Sequence, residues 1–275
     1  MTHSTRRQSR VFGAGAGCLV TLLGILGCTG GAGDTGSGNG RQVTVAAAAD
    51  LKYAFDDLVK EFHRRHPDIK ISVTYGSSGS FFAQLENRAP FDLFLSADTA
   101  YPRLLVDRGL AADKSFFVYA VGHLVVWVRK DSPLDVKKLG LKALLEPAVE
   151  TIAIANPRHA PYGRAAGEAL RRAGLYDRVK GRMLLGKNVA QAAQFVDQGG
   201  ASVGLISLSQ AVAPPLRHKG RYYRLPAAAY PRIEQGGVIL SWAKDRGAAD
   251  TLRRFLVGAR GRAVLRRYGF SFPRK

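Results

Sequence analysis

From Arg41 onward, short apolar runs alternate with stretches of helical period, and the alternation runs through the chain twice. That pattern is what α/β folds with parallel sheets and right-handed crossovers require. In the first set, Val43–Ala48 reads as a buried strand, and Leu51, Ala54, Phe55, Leu58, Val59 and Phe62 then recur at helical spacing up to His66-Pro67. Ile69–Tyr75 alternates as a strand, Ser80–Arg88 reads as a short helix, and Asp92–Ser96 as a strand followed by a helix that stops at Gly109. The long apolar run Val118–Val128 reads as one strand leaving this set. The second set has helices near 137–145, 163–173 and 189–197, and strands at 151–155, near 183–185 and at 202–207. Val238–Trp242 is again strand-like, and helices at 248–257 and 260–267 close the chain. Two sets in one chain predict two α/β lobes with mainly parallel sheets and a ligand cleft between them. We assign residues 41–122 and 233–275 to the first lobe and 123–232 to the second. Tyr222, Tyr223 and Tyr230 read as packing near the return crossover.

The first 27 residues stand apart from this pattern. Arg6, Arg7 and Arg10 precede an apolar, glycine-rich stretch from Val11 to Gly27, too short for a membrane span and suited to a secretory signal peptide. It ends Ile25-Leu26-Gly27-Cys28, which resembles a bacterial lipobox and makes Cys28 the expected lipidation site. Residues 28–40, dominated by Gly, Ser, Thr and Asn, read as a flexible tether. The expected location is therefore exported, in the periplasm or on the outer face of the cell membrane, held by a lipid anchor.

Both cysteines, Cys18 and Cys28, lie in or at the end of this leader, so the folded body has no disulfide, thiol nucleophile or zinc–thiolate site. The formal charge of +20 raises nucleic acid as a partner. Export argues against it, and so does the thin spread of Arg171, Arg172, Arg178, Lys180, Arg253, Arg254, Arg266 and Arg267 over helices. An exported hydrolase would need a base beside Ser77 or Ser78, with His66, His123 or His159 as candidates. The chain has neither a Gly-x-Ser-x-Gly elbow nor a His-Glu-x-x-His zinc pattern, so no catalytic residue and no metal site is assigned.

Four strand-to-helix junctions carry residue types that suit an anion. They are Ala49-Asp50, Gly76-Ser77-Ser78-Gly79-Ser80, Ala160-Pro161-Tyr162-Gly163 and Lys187-Asn188-Val189. In open α/β sheets ligands bind beyond the carboxyl ends of strands, where helix N-termini present free N–H groups and partial positive charge. Any one junction alone is better explained by ordinary helix capping. Two in each half suit a small anion clamped between lobes, held by hydroxyls and N–H groups with no metal and no cofactor.

Beyond these patterns, the chain resembles the molybdate-binding protein family, a branch of the type II periplasmic binding proteins. The matching segments are Val43–Leu51, Tyr75–Ser80, Ala89–Asp98, Asn156–Gly163 and Arg267–Phe270, so the resemblance covers about residues 41 to 272. It implies a two-lobed type II periplasmic-binding-protein fold that closes on molybdate or tungstate and presents it to an ABC permease, as a monomer. The oxyanion ligands it implies are Ala49 or Asp50, Ser78 with Ser77, Tyr162, and the N–H of Val189. Many members carry a further tyrosine where this chain has Ser207. Asp50 is the main departure, because the family usually has Ser or Asn there and an ionised carboxylate is acceptor-only. Three readings of it remain open: a side chain turned back to cap its own helix, a protonated carboxyl, or a different ligand such as sulfate, phosphate or another small anion.

Overall fold

The computed structural model describes residues 41–273. The signal peptide expected at 1–27, the tether expected at 28–40 and the expected lipidation site Cys28 lie outside these residues. Among the described residues no helix is long and apolar enough to cross a membrane.

The chain runs β1 Gln42–Ala48, α1 Lys52–His63, β2 Lys70–Gly76, α2 Ser78–Glu86, β3 Leu93–Ser96, α3 Ala100–Asp107 and β4 Phe117–Gly122. It continues β5 Leu124–Arg129, α4 Val136–Leu139, β6 Ile152–Ala155, α5 Pro161–Arg172, α6 Tyr176–Val179, β7 Met183–Gly186 and α7 Val189–Asp197. It ends β8 Val203–Ser207, α8 Leu208–Ala211, β9 Gly220–Arg224, β10 Ile233–Ile239, α9 Arg246–Val257 and α10 Ala259–Arg267. These strands form two five-stranded sheets, ordered β2-β1-β3-β10-β4 and β7-β6-β8-β5-β9.

Each element follows from its apolar pattern. Ala54, Phe55, Leu58 and Phe62 of α1 recur at three- and four-residue spacing and are fully buried against the first sheet. Leu252, Leu256, Val264 and Leu265 of α9 and α10 join the same core. Phe81, Leu85 and Leu105 of α2 and α3 cover the other face with Phe94 and Val238. In the second sheet Val125, Val126, Trp127 and Val128 of β5 are all fully buried, because helices cover both faces.

The structure corrects the sequence reading in several places. The run 118–128 is not one strand. It breaks at His123 into β4, paired with β10 in the first sheet, and β5, between β8 and β9 in the second. Both halves are buried, and only His123, part-exposed between them, marks the passage from one sheet to the other. The sheets are mixed rather than mainly parallel, because β10 is antiparallel to β3 and β4, and β5 to β8 and β9. The helix expected near 137–145 is one short turn followed by a 3-10 segment, Gly140–Leu145, entered at Gly140 with φ of +56°. Strand β9, with Tyr222 and Tyr223, and helix α6 were not expected. The strand read at 238–242 is β10, which begins at Ile233 and carries a register shift between Gln235 and Gly236.

The parallel registers bring the functional ends into line. Ala48 pairs with Gly76 at the last rung of β1 and β2, and Ala155 with Gly186 at the last rung of β6 and β7. The loops leaving these four strand ends begin the 3-10 turn Ala49–Leu51, α2, α5 and α7.

Candidate functional site

All four junctions meet at one small cavity of about 10 Å³, room for about one water. Its lining contains Ala49, Asp50, Ser77, Ser78, Tyr162 and Val189, together with Ala48, Gly76, Ala97, Ala160, Pro161 and Asn188. Lys, Arg and His are absent from that lining. The six residues named from the sequence are therefore neighbours, from both halves of the chain.

Each junction is shaped by its own local bonds. Ser77 caps α2 by accepting from the Ser80 N–H at 3.3 Å, and its Oγ lies 2.9 Å from Ser80 Oγ. Ser78 Oγ accepts from the Ala97 N–H at 2.9 Å, so its own hydrogen is free to donate elsewhere. Asn188 caps α7 by accepting from the N–H groups of Ala190 and Gln191, both at 3.0 Å, and Val189 lies between cap and cavity. Pro161 occupies the first turn of α5, where its missing N–H costs nothing, and delivers Tyr162 to the cavity.

Tyr162 reaches across the cleft. Its hydroxyl donates to Asp50 Oδ2 at 3.0 Å, and Gln235 Nε2 donates to the same oxygen at 2.5 Å. Two glycines make room for it. A Cβ on Gly122 would stand 2.1 Å from the Tyr162 hydroxyl, and one on Gly163 would stand 2.2 Å from the Ala155 carbonyl. Burial pushes the Tyr162 phenol well above its ordinary range, and the neighbouring Asp50 carboxyl pushes it further. It stays a neutral donor.

Asp50 is 1 % exposed. Desolvation raises its carboxyl to about 6, against the opposing pull of Gln235, Tyr162 and the N–H groups of Asp50 and Leu51. Neither the 3-10 turn nor α1 has a side-chain cap bond, and of the helix-cap reading only the nearness of the Asp50 and Leu51 N–H groups to the carboxyl is present. Oδ2 is instead tied to Tyr162 and Gln235, and buried Oδ1 has no partner. Ser207, where the resemblance leads to a tyrosine in many members, caps α8 and lies 3.0 Å from Ser209 Oγ, outside the cavity lining. Ser209 donates to the Asp50 carbonyl at 2.7 Å and so ties the second lobe to the first junction.

Sequence reasoning missed Gln235, Gly122 and a set of contacts that join the lobes at the rim. The signal for Gln235 was a polar residue beside Gly236-Gly237 in an apolar strand; the register shift there is the kind of bulge that re-aims a side chain. At the rim, the Gly79 N–H donates to the His159 carbonyl at 2.9 Å, and His159 Nδ1 lies 3.2 Å from Ser77 Oγ. Arg164 pairs with Asp98 and donates to the Tyr101 hydroxyl at 3.0 Å. Ser77 and His159 form the pair a hydrolase would use. Ser77 Oγ is already the α2 cap, and among the described residues no carboxylate bonds the His159 ring to orient it as a base. Among the described residues there is also no cluster of His, Cys, Asp or Glu fit to hold a metal ion.

The family described as bacterial extracellular solute-binding protein matches residues 43–271. The molybdate-binding protein ModA of Azotobacter vinelandii is 36% identical over 230 residues, covering 84% of this chain and 90% of the relative. The protein of the same name in Rhodobacter capsulatus is 34% identical over 200 residues, covering 73% and 77%. The solved structure of the Azotobacter vinelandii periplasmic molybdate-binding protein superposes with a TM-score of 0.78 at 29% identity, covering 84% of this chain and all of that one.

Proposed function

The chain belongs to the bacterial extracellular solute-binding protein family, with its two-lobed type II periplasmic-binding fold, and from that premise we propose that it captures molybdate or tungstate outside the cytoplasm and delivers it to an ABC permease. The observation that carries the reading is the cavity itself. Four helix or turn starts, two from each lobe, face one small space lined by hydroxyls and N–H groups and by no cationic side chain. A tetrahedral dianion is larger than the one water this space admits, so capture requires the lobes to part around it, and many short donors then bind it. Ala49 and Val189 offer main-chain N–H groups and Ser78 its free hydroxyl hydrogen, while Ser77 and Tyr162 donate to the anion by turning from Ser80 and from Asp50. Asp50 sits among them as the one carboxylate. The relatives at 36% and 34% identity carry the name molybdate-binding protein, which supports this ligand over sulfate or phosphate. The protein needs no cofactor, acts as a monomer and performs no chemistry on its ligand. Cys28, at the end of Ile25-Leu26-Gly27-Cys28, anchors it by lipid to the membrane.

Thermal unfolding of the full chain with molybdate, tungstate, sulfate, phosphate or no anion tests the reading. Ligand at ~100 times its dissociation constant adds about 2.7 kcal/mol. For a chain of this size the expected rise in melting temperature is about 5–10 °C with molybdate and tungstate. A rise with phosphate alone, or with none of the four, would refute the assignment.

A further inference from the structure

Asp50 is out of place in a cavity built for an anion, and its surroundings say in which form it can stay there. It faces Tyr162 from α5, Tyr119 from β4 and Gln235 from β10, with Ser209 of α8 on its carbonyl and Ser77 and Ser78 of α2 across the lining. None of these is a cation, and His159 bonds Ser77 rather than the carboxyl. The two side-chain donors that reach the carboxyl, Tyr162 and Gln235, both bond Oδ2, and the N–H groups of Asp50 and Leu51 lie near it as well. Oδ1 is buried and makes no hydrogen bond, and Gln235 Oε1 is a second buried acceptor without a donor. A bound oxyanion would bring only further acceptors. With Asp50 ionised, Oδ1 and the anion would be two negative acceptors in one water-free space with no hydrogen between them. With Asp50 protonated, the same oxygen becomes a donor.

We propose that Asp50 carries a proton on Oδ1 when the cavity holds its anion and donates that hydrogen to an anion oxygen, so that capture of a fully deprotonated oxyanion takes up one proton from solvent. The inference rests on the oxyanion reading and deepens it. It makes Asp50 a specificity-determining residue: an oxyanion that brings its own proton, such as hydrogen phosphate, would place a donor against a donor. Burial of the carboxyl, which already raises its affinity for a proton, is the physical source of the coupling.

The test is calorimetric titration of the full chain with sodium molybdate and, in parallel, sodium phosphate at pH 6, 7, 8 and 9, each in buffers of low and high ionisation enthalpy. Proton uptake is read directly from the buffer dependence, without any variant. The expected result is an affinity that weakens about tenfold per pH unit above neutrality, with uptake approaching one proton per anion. Asp50→Asn, which places a permanent N–H donor at the same position, is expected to bind with an affinity independent of pH and with no uptake. Wild-type binding that is flat in pH with no proton uptake would overturn the inference and leave the oxyanion reading standing. Preference for phosphate without proton uptake would overturn it too, by making Asp50 an ionised acceptor. Failure of the wild type and of Asp50→Asn to bind molybdate at any pH would remove the oxyanion reading, and this inference with it.

Discussion

Substituting alanine at Gly122 tests the placement of the Tyr162 phenol more sharply than removing the phenol does. Gly122 ends β4 in the first sheet, and Tyr162 comes from α5 over the second. A Cβ at 122 would lie 2.1 Å from the phenol oxygen, 3.0 Å from its ring carbon and 2.8 Å from Gln235 Nε2. Gly122 is not among the residues with positive φ, so the backbone itself accepts alanine. Without a clash, Gly→Ala there would stabilise by about 0.4–1 kcal/mol through the unfolded chain. The clash reverses the sign. The Cβ must displace the phenol by more than an ångström, and α5 has no room to retreat, because Gly163 is already packed on the Ala155 carbonyl. Overpacking of this kind costs about 1–3 kcal/mol. The cost falls on the arrangement in which the lobes meet around the cavity, which is the arrangement that holds the anion.

Gly122→Ala is therefore expected to weaken molybdate binding by about 10- to 100-fold, equivalent to about 1.4–2.8 kcal/mol. The molybdate-induced rise in melting temperature should shrink by several degrees at the same anion concentration. The substitution should also be less damaging in a Tyr162→Phe background, because the oxygen at 2.1 Å is gone, although the ring carbon at 3.0 Å keeps the relief partial. A coupling of about 0.5–1.5 kcal/mol between the two positions is expected from a double-mutant cycle. Unchanged affinity in Gly122→Ala, with a melting temperature equal to or above wild type, would refute the placement of Tyr162 against Asp50.

Asp98→Asn removes the rim pairing with Arg164, whose side chain is 39% exposed. Exposure limits its worth to about 1 kcal/mol or less. Molybdate affinity should fall no more than about fivefold at low salt, with the difference vanishing near 1 M NaCl where screening is strong. Asp50→Asn should change the pH dependence of stability: the folded carboxyl lies near 6 against an ordinary 3.8, so wild-type stability is fullest below 3.8 and is lost as pH rises to about 6. The variant should gain up to about 3 kcal/mol over wild type at pH 8 and little at pH 4, read by denaturant unfolding without anion; lower stability at pH 8 would contradict the reading. His123 is held down to about 4 by burial, with Arg224 and Arg232 adding to it, so its contribution is complete above 6.5 and is lost as pH falls towards 4. His123→Gln should flatten that acid limb of the stability profile, and an unchanged limb would count against it. Cys28→Ser should release the protein from the membrane fraction on cell fractionation, and persistence in that fraction would refute lipid anchoring at Cys28.

What was legible in the sequence was what local pattern encodes. Helices α1, α7, α9 and α10 announce themselves by apolar spacing, and strands β1, β2, β3, β6 and β8 by short apolar runs. The four junctions were legible for the same reason, since Ser77 and Asn188 are helix caps by residue type and Pro161 a first-turn residue by its missing N–H. Partnership was not legible. Nothing local distinguishes β4 from β5 across His123, because each is apolar for a different sheet. Nothing local marks β10 as the strand that enters the first sheet antiparallel to β3 and β4, since its Gln-Gly-Gly centre reads as a loop until two neighbours supply its hydrogen bonds.

Asp50 is the residue where that limit matters for function. Read along the chain, a carboxylate at the start of a helical turn is a capping residue, favoured by the N-terminal dipole. That reading assumes water around the side chain. The fold removes the water: Tyr162 arrives from 112 positions away and Gln235 from 185, and both spend their hydrogens on one oxygen. The other oxygen is left buried and unpartnered, in a residue that lines the cavity with Ser77 and Ser78. Burial then works against the charge that the helix start would have favoured, and desolvation is the larger effect, because the carboxyl moves up and not down. The same four letters Ala-Ala-Ala-Asp that read as strand followed by cap thus place, in the folded protein, a carboxyl that gains from holding a proton. Long-range partners, not the local motif, decide what Asp50 can do.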